Sequence, residues 1–137
     1  MRILGIDYGE KNIGLALSDE LGIIVRPLGK YKRRNKKKDK DYFLKLIKQH
    51  NIQQIVIGLP LRMDGSKGTQ AHQVERFGNW LKEITQLPVN YWDERLSTKQ
   101  AFDILKEHNI KYKKGKKLKD QISAVIILSS YLESLHK

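Results

Sequence analysis

Apolar residues along this chain recur with two different periods, and the places where the period changes mark out the elements. Arg2 to Asp7 is a short apolar run and predicts a buried strand. Tyr8-Gly9-Glu10-Lys11-Asn12 reads as a turn, and Ile13 to Ser18, apolar apart from Gly14, as a second strand. Leu21-Gly22 breaks the pattern before Ile23-Ile24-Val25, a third strand running toward Pro27-Leu28. Strands this close in sequence pair most simply as an antiparallel meander. Asp41 to His50 carries apolar residues at 42, 43, 44, 46 and 47, a helical stripe stopped by Asn51. Gln54 to Ile57 is a buried strand ending at Gly58-Leu59-Pro60. Ala71, Val74, Phe77, Leu81 and Ile84, spaced by three and four, mark a long helix. Pro88 restarts the chain as a strand over Val89 to Trp92. Ser97-Thr98-Lys99-Gln100 has capping-box spacing and opens a helix through about His108. Leu118 to Leu135 is the last helix, apolar nearly all round at its centre and therefore expected to be buried.

The order is βββαβαβαα. A meander followed by strand–helix crossovers predicts an α/β fold: a five-stranded mixed sheet with helices on its faces. The 137 residues fit one domain, 1–137, with no internal repeat and no linker.

Charge changes the picture more than composition does. The formal net charge is +12, and it is concentrated in two places. Lys30 to Lys40 holds eight Lys/Arg and one Asp, a net of +7; Lys111 to Lys119 holds six Lys and no acid, a net of +6. The remainder carries −1. Both segments read as basic loops, the first long enough to be disordered, and each contains a tyrosine, Tyr31 or Tyr112. Lys and Arg displace counterions from phosphates and a ring stacks on an exposed base, so the pattern points to nucleic acid. Neither run makes an apolar-faced helix for membrane docking. No apolar run approaches the ~18 residues of a membrane span, and Met1 to Asp7 is unlike a secretory signal. A cytoplasmic location without membrane association is expected. With no cysteine, disulfides, thiolate metal sites and a cysteine nucleophile are excluded.

Three acidic positions fall where an element ends or begins. Asp7 ends the first strand, Asp93-Glu94 the fifth, and Asp120 opens the last helix. Chemistry on such sheets gathers at the carboxyl ends of the strands, and divalent cations serving phosphoryl transfer need hard oxygen ligands drawn from separate elements. Each acid also has an ordinary reading: a turn former, a salt-bridge partner for Arg95, a helix-terminal acid. Adjacent residues on a strand point to opposite faces, so only one of Asp93 and Glu94 is expected at such a site. Around the acids, Gly9 allows close backbone approach and Lys11 follows it. Gly58-Leu59-Pro60 and Asp64-Gly65-Ser66-Lys67-Gly68 precede a helix N-terminus, where N–H groups and Lys67 suit a phosphate. Arg95 suits a bidentate phosphate clamp. Lys32, Arg33 and Arg34 from the first basic run, and Lys116 and Lys117 from the second, are the candidates to hold a flanking backbone. Ser97 and Thr98 read as capping residues. His50, His72, His108 and His136 lack metal-ligand spacing, and Trp80 and Trp92 read as core or sheet-face residues. Asp7-Tyr8-Gly9 resembles the phosphate loop of actin-like ATPases, but that architecture needs two such subdomains and this chain has length for one.

Four blocks together resemble the YqgF/RuvX family of pre-16S rRNA nucleases: Gly5–Ala16 (GIDYGEKNIGLA), Ile57–Ser66 (IGLPLRMDGS), Asp93–Thr98 (DERLST) and Lys119–Leu132 (KDQISAVIILSSYL). They follow the family's order and spacing and cover nearly the whole chain. The resemblance implies an RNase H-like fold and a hydrolase cleaving phosphodiesters with Mg²⁺ or Mn²⁺ held by Asp7, Glu94 and Asp120. It implies maturation of the 5′ end of 16S rRNA during ribosome biogenesis, with pre-rRNA or the pre-30S particle as partner. The family is similar to Holliday-junction resolvases, which makes branched DNA the alternative substrate. A non-catalytic rRNA-binding assembly factor is a further alternative, disfavoured because acids at a phosphate site cost affinity unless a cation is bound. The chain is expected to be a monomer or weak homodimer. Its 30–40 segment is more basic than the family pattern.

Overall fold

The computed structural model describes residues 1–97 and 116–136, apart from the side chains of 97 and 116–121. The strands are β1 (Ile3–Asp7), β2 (Asn12–Ser18), β3 (Val25–Lys32), β4 (Gln54–Leu59) and β5 (Val89–Asp93). The helices are α1 (Lys36–His50), α2 (Thr69–Thr85) and α3 (Lys116–Leu135), and a 3₁₀ turn covers Glu94–Ser97. Residues 98–108 of the expected helix and residues 111–115 of the second basic segment lie outside the described residues, and Ser97 closes the 3₁₀ turn.

The strand order is β3-β2-β1-β4-β5. The β1–β2 and β2–β3 pairs are antiparallel, and the β1–β4 and β4–β5 pairs are parallel. This is the mixed sheet expected, since only a crossover helix can return the chain to a parallel neighbour. Pleat alternation divides the apolar residues between two faces. Leu4, Ile6, Ile55 and Ile57 pack with Phe43, Val74, Phe77 and Leu81 of α1 and α2. Ile3 and Val56 pack on the other face with Ala124, Val125, Ile127 and Leu128 of α3. Trp80 borders the first cluster; Trp92 borders the second, its indole N–H donating to Ser130 Oγ at 2.8 Å. Among the described residues no helix is long and apolar enough to cross a membrane.

The largest departure from expectation is the first basic segment, which is not a loop. Lys30 to Lys32 complete β3 on the sheet edge, and Lys36 to Lys40 form the start of α1. Asn35 caps the helix, its Oδ1 accepting the Lys38 N–H at 2.8 Å. Lysine is a good helix former, so a Lys-rich run continues a capped helix readily. One buried carboxylate organises the corner. Asp39 Oδ1 accepts from the Tyr31 hydroxyl at 2.6 Å and the Arg34 N–H at 2.9 Å, and Oδ2 accepts from Arg33 Nε at 3.4 Å. Burial, then the bond to Asp39, pushes the Tyr31 hydroxyl pKa up to about 12. Tyr31 also stacks on Tyr42 at 3.8 Å, so one face of its ring is taken by a structural contact.

The third strand is also displaced. Ile23 and Ile24 are 70% and 66% exposed and precede β3. Asp19 Oδ1 accepts both their N–H groups, at 2.8 and 3.2 Å, holding them in a loop instead. Farther along, Leu28 is an extra residue in β3: Leu15 pairs with Gly29 and Ala16 with Pro27. Pro27 is accommodated because β3 lies on the sheet edge.

Candidate active site

The carboxyl ends of β1, β4 and β5 meet on one sheet edge. Ile6 is level with Ile57, Gly58 with Trp92, and Leu59 with Asp93. Alternation along β1 puts Asp7 on the side of Ile3 and Gly5, the face that α3 covers. Gly58 shares that face with Val56. Glu94, just past the end of β5, folds back over Gly58. A methyl group on Gly58 would lie 2.6 Å from Glu94 Oε1 and 2.5 Å from Ile127 Cδ1, so the missing side chain makes room for this carboxylate. Gly9 also serves the local turn: a side chain there would run into the carbonyl oxygen of Asn12, so it permits the β1–β2 connection.

Asp7 and Glu94 line one open cleft of about 640 Å³, shared with Tyr8, Gly9, Gln73 and the first residues of α2. The two carboxyls sense each other. Burial first, and the charges of Asp7 and then Asp93 next, push the Glu94 pKa up to about 7. Asp93 is turned to another task. Its carboxylate receives Arg95 Nε at 3.1 Å and Nη2 at 2.8 Å, which holds it below the usual carboxylate range. Of the adjacent pair, Glu94 therefore faces Asp7 and Asp93 holds Arg95. Among the described residues no third acid or histidine completes a metal-binding group. The side chain of Asp120 lies outside them; its backbone is on α3, four residues before Ala124 and seven before Ile127.

A family model described as "RuvX: Holliday junction resolvase" matches residues 1–134. The chain belongs to the RuvX family. A Syntrophus aciditrophicus protein named "Putative pre-16S rRNA nuclease" is 42% identical over 135 residues, covering 98% of this chain and 90% of the relative. A Clostridium kluyveri protein of the same name is 39% identical over all 137 residues of both chains. Among solved structures, a Thermus thermophilus RuvC in complex with a Holliday junction superposes with a TM-score of 0.67 at 12% identity, covering 99% of this chain and 96% of that one. The Fowlpox virus resolvase with its Holliday junction gives 0.63 at 18%, over 100% of both chains. The RuvX-family fold is therefore the RNase H-like one that these resolvases share.

In this RuvX-family chain three of the six described cation side chains named from the sequence already have internal partners. Arg33 answers Asp39, and its Nη1 donates to the Tyr8 hydroxyl at 2.8 Å. Lys67 pairs with Glu75 at 2.9 Å. Arg95 joins Asp93 to the carbonyl of Met63. The loop before α2 closes on itself, with Asp64 accepting from the N–H and hydroxyl of Ser66 and Leu61 bridging to Lys67. Lys11, Lys32 and Arg34 are exposed, and the side chains of Lys116 and Lys117 are outside the described set. Reading the sequence missed what Gly58 makes room for; a glycine near the end of a buried strand was the available signal.

The raised Glu94 pKa carries a sign for stability. The folded protein holds this proton more tightly than the unfolded chain, whose glutamate titrates near 4.5. Without divalent cations the contribution is fully present below pH 4.5 and is lost as pH rises through about 7. It should amount to roughly 1–2 kcal/mol after allowance for solvent screening. Urea titrations of Glu94→Gln in EDTA should show that slope removed; an unchanged slope would mean that Glu94 does not titrate abnormally.

Proposed function

We propose that this chain is a metal-dependent nuclease that trims the 5′ end of pre-16S rRNA, acting in the cytoplasm as one domain over 1–137. The observation that carries this reading is the Asp7–Glu94 pair facing one cleft at the carboxyl edge of the sheet, with Glu94 forced toward neutrality. Two hard-oxygen donors whose charges oppose each other are a donor set suited to a divalent cation. Asp7 and Glu94 would hold Mg²⁺ or Mn²⁺. Asp120, whose backbone lies in α3, is the third candidate ligand. The chemistry that a bound cation supplies is Lewis-acid stabilisation of the charge developing at the scissile phosphate. Glu94 and Asp7 position that site, Gly58 leaves it room, and exposed Lys11, Lys32 and Arg34 hold the flanking backbone by charge. Names borne by relatives at about 40% identity favour RNA. The family description keeps branched DNA as the second reading.

Cleavage of an end-labelled RNA carrying the 5′ flank of 16S rRNA, beside a four-way DNA junction, tests this. Each is incubated with Mg²⁺, Mn²⁺ or EDTA, with Asp120→Asn as control. Metal-dependent cutting of the RNA, lost in the variant, is expected. Cutting of the junction alone would move the protein to recombination, and binding without cutting would leave an assembly factor.

Gly58→Ala makes a sharper demand. It should lower turnover by roughly 10–100-fold, because a displacement of Glu94 on the ångström scale is enough to do so. The melting temperature should change little, since the atoms met are the ends of flexible side chains. Full turnover in this variant would dissociate the pose of Glu94 from catalysis.

A further inference from the structure

A second concavity adjoins the acidic cleft across the sheet edge. It occupies about 380 Å³ in the valley between α1 and α2. Gln73, Arg76, Phe77 and Trp80 of α2, at helical spacing, form one wall; Lys36 of α1, with Arg33 and Tyr8, faces them. Tyr8 and Gln73 line both this groove and the cleft, so the two are continuous. The charge in the groove is not balanced. Arg33 is matched by Asp39, but among the described residues Lys36 and Arg76 make no hydrogen bond or ion pair, and both are exposed. Two unanswered cations thus flank a half-buried indole, which Phe43 and Phe77 hold in place at 6.3 and 5.7 Å between ring centres. The Arg33 guanidinium lies over the Tyr8 and Phe77 rings, at 5.4 and 5.5 Å.

A π surface between unpaired cations is the chemistry that takes an unpaired nucleotide: the base stacks and the phosphate is neutralised. The volume falls within the ~300–1,000 Å³ range of small-ligand pockets and does not admit a duplex. We propose that this groove binds an unpaired nucleotide of the strand whose phosphodiester lies at Asp7 and Glu94, so that the protein engages a single-stranded segment next to its cleavage position. This deepens the nuclease reading and rests on it for the strand's direction toward the cleft. Lys36, Arg76 and Trp80 are the residues that carry the recognition.

The test is equilibrium binding in EDTA, where no cleavage occurs. A hairpin with a flush end is compared with the same hairpin bearing a short unpaired flank, in RNA and in DNA. The flank should tighten binding about tenfold, the scale of one stacked base. In the Lys36→Ala/Arg76→Ala double variant, both positions being exposed, that gain should fall below about twofold, and the salt slope for the flanked hairpin should drop by about 1.4, near 0.7 per cation on a single strand. Quenching of tryptophan fluorescence by the flank should persist in Trp92→Phe and vanish in Trp80→Phe. A gain in either series that the double substitution removes supports the groove, and such a gain confined to RNA assigns it to ribonucleotides. Equal affinity for flush and flanked hairpins, or a gain that survives the double substitution, overturns it. Cleavage with Mg²⁺ is read in parallel. A flank gain without cleavage defeats the nuclease reading alone, and cleavage without a flank gain defeats the groove alone.

Discussion

Asp7→Asn should abolish cleavage while leaving nucleic-acid binding intact or tightened. Asp7 sits at the end of a buried strand, facing the cleft that Glu94 also faces. The substitution keeps the shape of the side chain and removes one of the proposed charges for a divalent cation. Cation stabilisation of a phosphoryl transition state is worth several kcal/mol, and each ~1.4 kcal/mol is tenfold in rate, so turnover should fall at least about 10³-fold. Binding should respond in the opposite sense. In the absence of a cation, Asp7 raises the Glu94 pKa and repels an incoming phosphate; with the charge gone, both effects relax. Single-turnover cleavage and a filter-binding titration in EDTA, on the same protein, separate the two. Unchanged turnover would remove Asp7 from the mechanism. A parallel loss of binding would make it a substrate contact instead.

Asp39→Ala should be the most destabilising single change outside the apolar core. Asp39 is 2% exposed and takes three donors from three residues, one on β3 and two in the short connection between that strand and its own helix. Removing it leaves the Arg33 charge and the Tyr31 hydroxyl without their acceptor in a half-buried corner. Breaking a buried pair from one side costs about 3–5 kcal/mol. For a chain of this size that corresponds to a melting temperature lower by roughly 10–20 °C. A second readout ties the loss to this contact. The Tyr31 hydroxyl, held near pKa 12 partly by Asp39, should titrate closer to the ordinary tyrosine range in a spectrophotometric titration. Asp39→Asn, which keeps an acceptor oxygen, should lose less. A loss below about 1 kcal/mol in the alanine variant would mean that the β3–α1 corner is held by helix capping and packing instead.

The apolar periods determined the element order through β5, the mixed sheet and the burial of the last helix. They could do so because a strand buried on both faces and a helix striped on one leave patterns that depend only on neighbours a few residues away. Asp7 at the end of β1 and Glu94 at the end of β5 were legible for the same reason, as acids closing apolar runs. The conformation of Lys30 to Lys40 was not legible. A run of like charges reads as a solvated loop unless something buried organises it, and Asp39 becomes buried only when β3 and α1 come together around it. Pleat alternation required that one of Asp93 and Glu94 face the cleft, but not which. That choice came from Arg95 claiming Asp93, from α3 covering the face of Asp7, and from Gly58 leaving space above β4. Local sequence determines which groups stand at the edge of the sheet; contacts between residues far apart in the chain decide which of them meet, because desolvation, charge pairing and room for a side chain exist only after the layers have packed.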